Sequence, residues 1–225
     1  MRQGRVQTDS TKQKISSTMR ERRVDNFAKY RAQVNTNRPD SYFNLEESGE
    51  LAELIGVVLG DGYIGAHPRT EVLRIACNYN NPGFIKRYSS LVEQLFEKTP
   101  AVKKRKTSNC VDIVIYQKNI SNRLGLQPGA KTHRPFTLPA WIKSNPGYQV
   151  RFLKGLFETD GCHATHLPTY THKFIFSNVN KSLLDTVYMI LCGLGFNPSR
   201  TAKTIQLSRK AEVARAVKLV KFRQY

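Results

Sequence analysis

Apolar positions fall into two runs of similar layout, separated by a polar stretch rich in Pro and Gly. In the first run, Leu51-Ala-Glu-Leu-Ile-Gly-Val-Val-Leu-Gly60 is apolar almost throughout, with Glu46, Glu47 and Glu50 at its start. Acidic residues suit a helix N-terminus, and Asn44 followed by Glu47 has the form of a capping box. A helix is therefore expected over about 46–60, stopping at Asp61-Gly62. After a loop through His67 and Pro68, Glu71 to Cys77 reads as a strand. Phe84, Ile85, Tyr88, Leu91, Val92 and Leu95 recur at helical spacing within 82–96. Lys103-Lys-Arg-Lys106 reads as a basic turn, Val111 to Tyr116 as a second strand, and Ile120 to Leu124 as a short helix.

The second run repeats that order. Asn145 and Pro146 supply an N-cap and a first helical residue for a helix ending near Asp160. Lys173 to Ser177 is a strand, Lys181 to Gly193 a helix stopped by Gly-Leu-Gly, 204–208 a strand, and 211–220 a closing helix. Asn78 and Asn178 end equivalent strands, 100 positions apart. The expected class is α+β, each half giving one central helix and a small antiparallel sheet. Residues 127–142 read as the linker between the halves, with Lys131 the residue to watch within it.

The halves share a nine-residue motif, Leu54-Ile-Gly-Val-Val-Leu-Gly-Asp-Gly62 and Leu153-Lys-Gly-Leu-Phe-Glu-Thr-Asp-Gly161. Alone, the first copy also fits a strand entering a Gly-Asp-Gly turn. The second copy is a better helix former, and decides for helices. Gly56 and Gly60 then share one helix face, as do Gly155 and Thr159, and small residues at that spacing let two backbones approach closely. Packing on those faces carries Asp61 and Asp160 out together at the helix C-termini. Two carboxylates there oppose the helix dipoles and each other, an arrangement that a divalent cation relieves. Mg²⁺ takes carboxylate and backbone oxygens as ligands.

These two copies resemble the motifs of LAGLIDADG homing endonucleases, in the two-motif, single-chain form, over the stretch from Asn44 onward. The resemblance implies two pseudo-symmetric αββαββα-type halves packed through the two motif helices, each half with an antiparallel DNA-binding sheet. It divides the chain into a basic arm (1–43), a first half (44–126), a linker (127–144) and a second half (145–225). It implies a monomer that cuts both strands of a long, non-palindromic double-stranded DNA site, across the minor groove, with a short stagger. Asp61 and Asp160 become the metal-binding catalytic pair, with Mg²⁺ or another divalent cation such as Mn²⁺. The carbonyls of Gly60 and Thr159 become further ligands. Similar enzymes often carry Lys or Gln at the strand end after each motif helix; here those positions hold Asn78-Tyr79 and Asn178-Val179. Asn can position a water but supplies no charge, so Lys131 is the candidate replacement. Two other readings use the same scaffold, namely a maturase binding intron RNA and a DNA-binding regulator that does not cut. Either could dispense with metal.

Charge narrows the partner. The chain carries 36 Lys and Arg against 17 Asp and Glu, a net +19, which points to a polyanion. Nucleic acid leads and an anionic membrane surface follows; the lack of a long apolar run or secretory signal sets the membrane aside. Candidate DNA contacts are Arg69, Arg74, Lys104, Lys106 and Lys118 in the first half, and Arg200, Lys203, Gln206 and Arg209 in the second. Most such contacts go to phosphate. The arm, with Arg20, Arg22 and Arg23 close together, reads as a solvated tail that orders on DNA, and holds a short capped helix from Asp9. Cys77, Cys110, Cys162 and Cys192 form no Cys-x-x-Cys pair, so free thiols in a reducing, intracellular setting are expected. Cys162, His163 and His166 match no standard zinc spacing.

Overall fold

A computed structural model describes residues 8–22, 44–132, 134–166, 168 and 170–225. The chain forms two units, residues 1–42 and 43–225. The first contributes helix α1 (Asp9–Glu21), whose N-cap Thr8 accepts from the Thr11 amide; none of its residues is buried. Most of the expected basic arm, Arg23 included, lies outside the described residues.

The second unit begins with α2 (Gly49–Gly60). Its N-cap is Ser48, whose hydroxyl accepts from the Leu51 amide at 3.1 Å, so the helix starts later than the Asn44–Glu47 pattern suggested. Every residue from Leu51 to Leu59 is buried. Then follow β1 (Gly62–His67), β2 (Thr70–Asn78), α3 (Pro82–Phe96), β3 (Ala101–Lys104), β4 (Cys110–Gln117) and α4 (Ile120–Leu124). The short α5 (Ala140–Lys143) closes the linker. The second half holds α6 (Pro146–Asp160), β5 (Gly161–His166), β6 (Thr171–Ser177), α7 (Lys181–Gly193), β7 (Ser199–Arg200), β8 (Thr204–Leu207) and α8 (Lys210–Val220). Both sheets are antiparallel with matching strand orders, β1-β2-β4-β3 and β5-β6-β8-β7. The repeat seen in the motifs therefore extends to topology, and the fold is α+β.

Three expectations change. The segment after Asp61-Gly62, expected as a loop through His67 and Pro68, is strand β1, and β5 follows Asp160 in the same way. Gly-Tyr-Ile-Gly-Ala-His has little strand character of its own, and pairing with β2 along six residues supplies what local propensity lacks. The basic turn at 103–106 begins inside edge strand β3, whose lysines discourage pairing with another chain. The linker contains α5 rather than continuous loop.

Helices α2 and α6 run side by side in the same direction, because their contacts advance together. A Cβ added at Gly49 would meet Arg151, one at Gly56 would meet the Phe152 carbonyl and Gly155 Cα, and one at Gly60 would meet the Thr159 side chain. At the near end, Glu53 is fully buried between Arg87 (2.9 Å) and Arg151 (2.8 Å). Such a buried carboxylate is tolerated because both oxygens are paired. Below the helices the sheets close the core, with Phe157 of α6 stacked on Phe174 of β6 at 4.2 Å.

Candidate active site and nucleic-acid interface

Because the motif helices are parallel, their C-terminal ends and both acids meet. Asp61 caps α2, its backbone carbonyl accepting from Ala76 N at 3.1 Å, and Asp160 is the last residue of α6. Asp61 is exposed and Asp160 half-buried, yet crowding by protein around each disfavours its charged form. Desolvation raises both carboxyls above their ordinary range. The Asp61 charge raises Asp160 further, and Lys131 opposes the rise at both. Asn178 Nδ2 donates to Asp160 Oδ2 at 2.7 Å and also lowers it.

Lys131 reaches the same place from the linker. Its Nζ donates to the backbone carbonyls of Val58 (2.7 Å), Gly62 (2.7 Å) and Gly60. Burial pulls its pKa down to about 8, against the pull of Asp160 and Asp61. The linker is pinned there by Asn180, whose Nδ2 donates to the carbonyls of Lys131 (3.1 Å) and Arg134 (2.8 Å). A cavity of about 280 Å³ adjoins Lys131, bordered by Tyr63, Ile64, Gly129 and Arg134.

Strand register sorts the candidate DNA contacts. In the first sheet Ile75 and Ile113 face the core, so their neighbours Arg74, Asp112 and Val114 face outward. Arg74 stands exposed on that outer face. Lys104 shares the parity of Val102 and Ile113, and its Nζ sits 3.8 Å above the Tyr79 ring. Arg69, Lys106 and Lys118 occupy exposed turns. In the second sheet Gln206 pairs with Ile175 on the outer face, and Lys203 lies in the β7–β8 turn. Arg200 and Arg209 are engaged by acids, Arg200 by Asp185 and Arg209 by Glu212 at 3.4 Å. The sequence reading passed over Lys103 and Lys173, both exposed on outer faces, and Asp112, which Arg105 holds by two hydrogen bonds (2.6 and 2.9 Å) well below the usual carboxylate range. Only register reveals these. Strand parity also separates Cys162 and His166 from His163, which turns inward edge-on to Phe174 at 6.4 Å.

No family model matches the sequence. The replication factor C small subunit of Methanocaldococcus jannaschii is 30% identical over 156 residues, 62% of this chain, but the chain spans only 8% of that protein's length. Solved structures give broader coverage. Mesophilic variants of the homing endonuclease I-DmoI superpose with a TM-score of 0.53 at 16% identity, over 76% of this chain and 94% of theirs. I-DmoI in complex with DNA and Mn gives 0.52 at 16% identity, over 76% and 96%. The N-terminal LAGLIDADG domain of DUF199/WhiA gives 0.54 at 14% identity, over 77% and 82%. The chain has the LAGLIDADG fold.

The I-DmoI complex contains Mn, and the residues at the motif-helix ends of this chain are of a kind that would suit a divalent cation. Among the described residues no group of three His, Cys, Asp or Glu converges, so the donors are the two carboxylates and nearby backbone carbonyls. All are hard oxygens. Desolvation by the surrounding protein holds both carboxylates above their ordinary range, and the charge of a divalent cation would favour their ionised forms. Among the described residues no helix is long and apolar enough to cross a membrane, and all four cysteines are free thiols.

Proposed function

We propose that this protein is a site-specific, metal-dependent endonuclease that hydrolyses both strands of a long, non-palindromic DNA duplex, acting as a monomer. The convergence of Asp61 and Asp160, one from each half, at the ends of parallel motif helices carries the proposal. Bound Mg²⁺ or Mn²⁺ supplies Lewis-acid polarisation of the phosphate and a water of lowered pKa. Asp61 and Asp160 would hold that charge, together with the backbone carbonyls of Gly60 and Thr159. Asn178 fixes the orientation of Asp160, and Lys131 adds positive charge beside both acids. The outer sheet faces, with Arg74, Lys103, Lys173 and Gln206, contact the grooves, and turn residues Arg69, Lys106, Lys118 and Lys203 contact phosphates. The halves differ in sequence at nearly every such position, so the DNA site is asymmetric. The net charge of +19 and the DNA and Mn complex of I-DmoI support this reading.

The test exposes a pool of partly randomised duplexes to the protein in Mg²⁺, with Ca²⁺ in parallel, and sequences the ends. One staggered site recovered only in Mg²⁺ supports the endonuclease. A sequence bound in both metals and cut in neither replaces it with a DNA-binding regulator. No preferred duplex, with selective retention of structured intron RNA, replaces it with a maturase.

A further inference from the structure

We propose that Lys131 is a tethered cation occupying the first-half metal position, so that a divalent ion reaches the Gly60 carbonyl only by displacing it. The inference rests on the metal-dependent reading above and concerns how unequal the two halves are.

An ammonium has three protons, and the Lys131 ammonium meets three acceptors, the carbonyls of Val58, Gly60 and Gly62. Each is a neutral, hard oxygen, Val58 and Gly60 at the negative end of α2 and Gly62 at the start of β1, and this is the donor type that also ligates Mg²⁺. The ammonium therefore sits as a small cation would, with Asp61 and Asp160 near enough to act on it through charge. Its position is built rather than incidental. Asn180 clamps the Lys131 carbonyl with Nδ2, while its Oδ1 accepts from Ser182 Oγ (2.7 Å) and caps α7 through Leu183 N (3.3 Å). The linker cannot slide without uncapping that helix.

The second half is arranged differently. There the Phe157 carbonyl, which corresponds to Val58, accepts from the backbone amide of Gly161. Asp160 is hydrogen-bonded by the neutral amide of Asn178, and Lys131 acts on it through charge while spending its three hydrogen bonds on first-half carbonyls. A neutral amide leaves the second-half position open to a divalent ion, whereas the first must exchange one cation for another. Loading is thus sequential, with the Asp160 side filling first.

The test titrates Mn²⁺ into the DNA-free full chain and follows free Mn²⁺ by electron paramagnetic resonance. Wild type should show one tighter and one weaker site. Lys131→Met, which keeps the stem and removes the charge, should tighten the weaker site about tenfold, and Asp160→Asn should remove the tighter one. A second readout uses unmodified protein: acetylation of Lys131, followed by mass spectrometry, should rise several-fold at saturating Mn²⁺ as the amine is released. This holds even if Lys131→Met folds poorly. Mn²⁺ binding by wild type with unchanged or weaker affinity in Lys131→Met, or acetylation indifferent to Mn²⁺, overturns the tethered-cation proposal alone. Failure of both wild type and Lys131→Met to bind Mn²⁺ overturns the metal-dependent reading as well.

Discussion

Asn178 donates Nδ2 to Asp160 across 2.7 Å while its Oδ1 accepts the Asn180 amide; Asn78, at the end of the matching strand, accepts the Asn80 amide in the same way at 2.8 Å, but among the described residues makes no hydrogen bond to Asp61. The two acids are thus related by the repeat but held by different groups. A hydrogen bond to a charged group contributes about 1.5–3 kcal/mol, or roughly ten- to a hundredfold in rate. Asn178→Ala should therefore slow the cutting of one DNA strand by about that factor and spare the other. Asn78→Ala should change neither rate by more than about threefold, and a strand-resolved nicking assay measures both.

The outer sheet faces make a separate prediction. Arg74 is exposed on the outer face, while Arg200 and Arg209 are already paired with Asp185 and Glu212. Arg74→Ala should weaken DNA binding by about 1–3 kcal/mol, as expected for loss of a groove contact. Arg200→Ala and Arg209→Ala should weaken it less. Gel-shift titrations in Ca²⁺ give the ranking, and log affinity should fall with log salt by about 0.9 per phosphate neutralised.

Stability without metal follows from the acids. Asp61 and Asp160 both titrate above their ordinary range in the folded chain. Their contribution is therefore fully present below the unfolded carboxylate pKa and is lost as pH rises through the folded values, so at neutral pH their charge destabilises. Asp160→Asn should raise Tm in EDTA by about 2–4 °C for each kcal/mol relieved. Saturating Mn²⁺ should stabilise wild type, by about 2.7 kcal/mol at a hundred times Kd, and leave the double Asn variant unmoved. Calorimetry at neutral and acidic pH reads both.

Close helix approach is the remaining structural claim. A methyl on Gly155 would strike the Glu53 carbonyl and lie 2.8 Å from Val57 N, both backbone atoms. Gly155→Ala should cost about 1–3 kcal/mol. Glu53→Gln removes the anion between Arg87 and Arg151 and should cost about 3–5 kcal/mol. Urea denaturation of the two variants checks these values.

Much of this was legible in the sequence, for reasons that differ by element. The motif copies placed both acids and the Gly56–Gly155 contact, because steric need for glycine at a helix crossing leaves a local trace. The long helices α3 and α7 were legible through their apolar spacing. Strands β1 and β5 were not, because Gly62 to His67 and Gly161 to His166 become strands only by pairing across the sheet. The outward direction of Lys103 and Lys173, and the opposite face taken by Lys104, needed the register between strands. The carbonyl cluster around Lys131 was hidden for another reason: backbone acceptors carry no sequence signature.

Single-turnover cleavage of the selected duplex in Mg²⁺, comparing wild type with Asp61→Asn and Asp160→Asn, tests the central claim most directly. Ca²⁺ gel shifts serve as the binding control. The account predicts double-strand cutting by wild type, none by either variant, and affinities within about threefold of one another, since neither carboxylate neutralises a phosphate. Wild-type double-strand cutting in either variant would contradict it.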